Sequence, residues 1–180
     1  MHADNWANKA KQEGYRTRAV YKLEEILQKT KSLKRSQNVL DLGSAPGGWA
    51  HYIKKKSPNS VVYAIDILDM EAVDGVYFFQ NSIEEIDNID SISSKMGSFG
   101  LVISDIAPNL TGINAIDTEN IYELNLLTLD TATKYLNKSH GSFIMKTFQN
   151  SMLKNLRKKM ELSFKIVQTF KPAASKKQSG

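Results

Sequence analysis

The residues best suited to chemistry begin in Val39-Leu-Asp-Leu-Gly-Ser-Ala-Pro-Gly-Gly-Trp49, where an apolar strand runs into an acid, a glycine turn and a small-residue loop. A strand that turns through glycine into a helix builds a nucleotide-type pocket at the carboxyl edge of a parallel sheet. Glycines at 43, 47 and 48 leave no side chain between backbone and ligand, so a bulky molecule can lie against the main chain. The spacing is neither the GxGxxG of dinucleotide enzymes nor the P-loop pattern of phosphate sites. A second acid, Asp66, ends the run Ser60-Val-Val-Tyr-Ala-Ile-Asp66, where such folds accept hydrogen bonds from ribose hydroxyls. A third, Asp105, opens Asp105-Ile-Ala-Pro-Asn109, in which the proline stiffens the loop. Lys146 interrupts the apolar run Phe143-Ile-Met-Lys-Thr-Phe148, and lysine is rarely buried without a partner. Beside Asp105 it could move protons. A free lysine titrates near about 10.4; burial and a second cation lower that value, and a neighbouring carboxylate raises it. Lys22 is the candidate second cation and Asp105 the carboxylate. The competing reading is an edge-strand lysine that carries its amine out to solvent.

Alternating strands and helices must position these groups. Val39 to Leu42, Ser60 to Asp66, Val76 to Gln80, Phe99 to Asp105 and Gly141 to Phe148 read as strands, and Ser163 to Phe170 as a sixth. Tyr15 to Gln28 reads as an amphipathic helix, with Ala19, Leu23, Ile26 and Leu27 on one face and Arg16, Arg18 and Lys22 interleaved. Further helices are expected at 47–56, loosely within 83–96, at 117–136 and at 150–160. The pattern predicts an α/β fold, a mostly parallel sheet with helices on both faces, as a single domain over residues 1–180.

The net charge of +5 is unevenly spread. Residues 1–35 carry a balance of +5, residues 36–150 of −7 and residues 151–180 of +7. An acidic middle between basic ends suggests a polyanion held by the ends while the middle does something else. Arg16, Arg18, Lys154, Arg157 and Lys158 are the candidate phosphate contacts. No apolar run approaches the roughly 18 residues of a membrane span, and the start shows no signal-peptide architecture, so the expectation is a cytoplasmic protein without a membrane partner. The 0 cysteines exclude disulfides and thiolate chemistry, and His2, His51 and His140 lack metal-ligand spacing; no metal is expected.

Taken in order, these motifs resemble the FtsJ/RrmJ family of ribose 2′-O-methyltransferases acting on ribosomal RNA. The resemblance rests on Tyr15-Arg-Thr-Arg-Ala-Val-Tyr-Lys-Leu-Glu-Glu-Ile26, Asp41-Leu-Gly-Ser-Ala-Pro-Gly-Gly-Trp49, Asp66-Ile-Leu, Ser104-Asp-Ile-Ala-Pro-Asn109, Gly141-Ser-Phe-Ile-Met-Lys-Thr-Phe-Gln149 and Lys171-Pro-x-x-Ser-Lys. It implies a Rossmann-like fold that binds S-adenosylmethionine (SAM). The aromatic platform that amino-group methyltransferases place after their acid is missing here, which argues against an amine acceptor. The resemblance implies catalytic roles for Lys146, as base, and for Lys22 and Asp105. It implies cofactor contacts from Gly43, Ser44, Pro46, Gly47, Gly48, Trp49, Asp66, Ile67 and Asp105. Ser82 stands where relatives carry an acid near the adenine; it offers a hydroxyl but no charge. The partner implied is RNA, ribosomal RNA in a large-subunit particle foremost, its target nucleotide flipped out, with the protein acting as a monomer.

The family's fourth catalytic residue is a glutamate that follows the KPxxSRxxSxE stretch and opens a last strand, inserted antiparallel between the fifth and sixth. Lys171-Pro-Ala-Ala-Ser-Lys-Lys-Gln-Ser-Gly180 matches up to the residue before it. The favoured reading is a fragment of a longer active protein, the other a shortened and impaired enzyme; a sheet lacking an interior strand leaves two unpaired edges and loses stability. A transfer-RNA or messenger-cap ribose methyltransferase uses the same parts. The alternative of a different class is an RNA-binding or ribosome-assembly factor that keeps the pocket without turnover.

Overall fold

The computed structural model describes residues 3–175. Five strands, β1 (Asn38–Leu42), β2 (Val61–Asp66), β3 (Val76–Gln80), β4 (Phe99–Ser104) and β5 (Ser142–Met145), form one sheet in the order β3-β2-β1-β4-β5. Every neighbouring pair is parallel. A parallel sheet is covered on both faces, so its central strands are continuously apolar, and β4 is buried at all six positions.

Residues of alternate parity in each strand serve opposite faces. Val39, Val62, Leu101 and Ile103 pack with Leu23 and Leu27 of α2 (Val20–Thr30) and with Trp49 and Ile53 of α3 (Gly48–Lys56). Leu40, Leu42, Ile65 and Val102 pack on the other face with Ile83 and Ile86 of a 3-10 helix (Ile83–Asn88), Ile92 of the short α4 (Asp90–Ser93), and Ala132 and Tyr135 of α5 (Asn114–Tyr135). The α/β architecture with helices on both faces is therefore the one the sequence predicts.

Beyond β1 the chain crosses to β2 on one side, while β4 lies on the other. The carboxyl ends of β1 and β4 thus flank a topological switch point, where open α/β sheets bind ligands. Leu42 lies opposite Ser104 there, and the Ser104 hydroxyl donates to the Leu42 carbonyl at 2.9 Å, pinning the two ends together.

Four expectations need correction. A helix, α1 (Ala3–Gln12), precedes the first expected element. The helix expected from Tyr15 begins only at Val20, and residues 15–19 form bends and turns that make the tertiary contacts described below. β5 stops at Met145 rather than running to Phe148. The stretch 163–170 is no strand: α6 (Leu153–Ser163) takes its first residue, and the remainder pairs with no ladder, with Ile166 74% exposed. A strand requires a neighbour's N–H and C=O groups. This segment is held instead by Phe164 stacked on Phe143 and by the Arg157 guanidinium donating to the Val167 carbonyl. Ala174 is buried in the α2–α3 cluster, and the Ala173 N–H donates to Glu25 of α2 at 2.9 Å. The rest of the tail, from 176, lies outside the described residues. No helix among the described residues is long and apolar enough to cross a membrane.

Candidate active site

Asp41 occupies the fourth position of β1, 1% exposed, and neither carboxyl oxygen has a hydrogen-bond partner. Burial holds its pKa well above the usual carboxylate range, and the negative charges of Asp105 and Asp66 push it the same way. The Ala50 N–H pulls in the opposite direction but lies outside hydrogen-bond geometry. An unpaired buried carboxyl is costly, so this one marks a place where a donor is expected to arrive.

Asp105 follows β4 directly, and Lys146 follows β5. The Lys146 N–H donates to the Ser104 carbonyl at 2.8 Å, carrying the β4–β5 ladder one residue further and fixing the lysine at the sheet's carboxyl edge. Its Nζ donates to the Asp105 backbone carbonyl at 2.5 Å and lies 3.1 Å from Asp105 Oδ1. The second contact is an ion pair without hydrogen-bond alignment, which leaves Oδ1 buried and unsatisfied. The Phe148 ring lies 5.7 Å from the amine. Asn125, buried on α5, donates to the Thr147 hydroxyl at 2.7 Å and so buttresses the turn beside Lys146.

A crevice at the ends of β1 and β4 is lined by Gly43, Ser44, Pro46, Gly48, Trp49 and Asp105 from the expected set. Asp41, Thr17 and Ala45 also line it. Asp41 was legible as an acid inside an apolar strand; Thr17 carried no signal, since it reaches the crevice from a segment that reads as helix. Ser44 Oγ is a further buried atom without a partner.

The glycines have a packing role as well. Gly47 is in the left-handed region at φ 92°, and a Cβ there would stand 2.9 Å from Arg16 Nη1 and 2.9 Å from Met70 Sδ. A Cβ on Gly48 would stand 2.5 Å from Thr17 Oγ1. The missing side chains let the protein close around its own loop, rather than only baring backbone for a ligand. Trp49 is 4% exposed, and its indole N–H donates to the Ala19 carbonyl at 3.0 Å.

Asp66 ties the loops after β1 and β2 together: Oδ2 accepts from the Ala45 N–H and Oδ1 from the Leu68 N–H, both at 2.9 Å. Each oxygen retains a second lone pair for a ligand hydroxyl. Ile67, beside it, is 68% exposed. Ser82 is the N-cap of the 3-10 helix, accepting from the Glu84 N–H at 3.2 Å, so its hydroxyl is already in structural use.

Lys22 sits in the first turn of α2, half-buried and engaged in an interaction. Of the expected phosphate contacts, Arg16 donates to three backbone carbonyls and Arg157 to Glu161 and Val167, which leaves each guanidinium with further N–H donors. Arg18 is half-buried, and Lys154 and Lys158 are exposed on α6.

The profile of the FtsJ-like methyltransferase family matches residues 15–180. The chain belongs to the FtsJ-like methyltransferase family. Among these methyltransferases it is 37% identical over 179 residues to the ribosomal RNA large subunit methyltransferase E of Dechloromonas aromatica, covering 98% of this chain and 87% of that one. It is 40% identical over 178 residues to the protein of the same name from Borrelia garinii, covering 98% and 91%. A crystal structure from Plasmodium falciparum, described as that of a ribosomal RNA methyltransferase, superposes with a TM-score of 0.80 at 29% identity, covering 89% of this chain and 93% of that one.

Proposed function

We propose that this FtsJ-like methyltransferase transfers a methyl group from SAM to a ribose 2′-hydroxyl of large-subunit ribosomal RNA. The observation that carries the reading is the set of unpaired acceptors on Asp41, Ser44 and Asp105, gathered at the switch point beside the Lys146 amine. The names of the bacterial relatives support the RNA class.

These residues fit SAM. Asp41 and Asp105 would hold its ammonium group through their unpaired oxygens, and Asp66 would accept from its ribose hydroxyls. The exposed Ile67 side chain would cover an adenine face, and the loop 43–49 would cradle the methionine end. When bound, SAM supplies an electrophilic methyl carbon on a sulfonium.

The protein's own groups then do three things. They hold the ribose oxygen in line with that carbon, which is where most of the acceleration arises. Lys146 takes the hydroxyl proton, a step worth about 10²–10⁴-fold. Asp105 orients the Lys146 amine through its carbonyl and its carboxylate. Arg18, Lys154 and Lys158 contact phosphates, and the 2′-hydroxyl itself separates RNA from DNA.

The test is incubation with methyl-labelled SAM and unmodified large-subunit particles, followed by digestion to nucleosides. Label in a 2′-O-methylnucleoside supports the reading; label in a methylated base, or none with particles that a relative methylates, contradicts it.

A further inference from the structure

Residues 13–19 join α1 to α2, and Arg16, Thr17 and Ala19 among them meet residues of the crevice wall. Arg16 makes the firmest contacts. Its Nη1 donates to the Pro46 carbonyl at 3.0 Å and to the Glu71 carbonyl at 2.7 Å, while Nη2 donates to the Ala72 carbonyl at 2.6 Å. The acceptors lie in two separate loops. One follows β1 and lines the crevice; the other follows β2 and continues from Asp66. Gly47 leaves the room this guanidinium occupies. Thr17 stands against Gly48, the Ala19 carbonyl receives the Trp49 indole, and the Tyr15 ring meets His51 edge-on at 5.8 Å.

We propose that Arg16 is a positioning residue for the cofactor: its planar fork staples the loop after β1 to the loop after β2 and fixes the spacing between the methionine and ribose ends of the site. It acts through those loops and not by touching an RNA phosphate. Hydrogen bonds from an ionised donor are stronger than neutral ones, and three of them converge on groups that no strand or helix holds. Lysine offers a point charge on a flexible stem and cannot span both loops with fixed geometry. The inference rests on reading the crevice as the SAM site.

The experiment measures binding of S-adenosylhomocysteine by calorimetry, and the KM values for SAM and for ribosomal particles, in the wild type, Arg16→Ala, Arg16→Lys and Arg18→Ala. For Arg16→Ala the inference predicts at least about a 10-fold rise in Kd and in the SAM KM, the scale of one lost charge-assisted hydrogen bond. The particle KM and the kcat at saturating SAM stay within about threefold. Arg16→Lys fails to restore affinity, and it carries the comparison if Arg16→Ala does not fold. Arg18→Ala shows the reverse pattern, a raised particle KM with unchanged cofactor affinity. An Arg16→Ala protein that binds S-adenosylhomocysteine like the wild type but needs more particle substrate overturns the inference in favour of a phosphate contact. A wild type that does not bind S-adenosylhomocysteine overturns the cofactor reading and this inference with it.

Discussion

Asp41→Asn separates the charge of the buried acid from its shape. In the protein alone, Asp41 is 1% exposed with both oxygens unpaired, and burial keeps its pKa well above the carboxylate range. Below a pH of about 3.9 both folded and unfolded chains hold the proton, and Asp41 is neutral to stability. Above it the unfolded chain releases the proton while the folded chain keeps it. The folded state then loses about 1.4 kcal/mol per pH unit until its own, raised pKa is reached. Asparagine abolishes that loss. At about 2–4 °C of Tm per kcal/mol for this size, each pH unit of that loss is worth about 3–6 °C, so the variant should melt at least that much higher at pH 7 without ligand. The advantage should fade as the pH falls towards about 4. With ligand the order reverses. Losing a charged acceptor for the SAM ammonium costs about 1.5–3 kcal/mol, so S-adenosylhomocysteine should bind about 10- to 150-fold more weakly and raise Tm less. Thermal unfolding with and without ligand from pH 4 to 8 reads both effects. A variant that melts lower than the wild type without ligand, or binds S-adenosylhomocysteine equally well, would refute the assignment of Asp41 as an empty-handed acceptor.

Two further substitutions test other parts of the site. Gly47→Ala forces a side chain onto a φ of 92° and against Arg16, and should cost about 1–3 kcal/mol in urea unfolding; an unchanged midpoint would show that the loop is free to shift. Replacing Lys154 and Lys158 together by alanine should flatten the slope of log affinity for ribosomal particles against log salt by about 1.5–2. An unchanged slope would remove α6 from the RNA interface.

The strands were legible because a parallel sheet writes itself as apolar runs, and β1 to β4 fall within one residue of where those runs end. The strand-end acids and Lys146 were legible for the same reason: a charged residue closing an apolar run has only the sheet edge to go to. Three features resisted. The stretch Tyr15–Ala19 has helical spacing, but the Arg16 and Thr17 side chains and the Ala19 carbonyl are committed to the loop and helix after β1, so tertiary contacts override the local pattern. Residues 164–170 have strand-like composition, yet composition cannot supply a neighbouring edge. The carbonyl contacts of Arg16 and Arg157 had no sequence signal, because a guanidinium binds carbonyls and phosphates through the same donors.

The central claim is that the Asp105–Lys146 pair handles the proton of the accepting hydroxyl. Single-turnover methyl transfer by Lys146→Ala, at saturating SAM and ribosomal particles, measures it most directly. The account predicts a rate reduced by about 10²–10⁴-fold with S-adenosylhomocysteine affinity within about threefold of the wild type. A variant that transfers methyl within about fivefold of the wild-type rate would show that the proton leaves by another route.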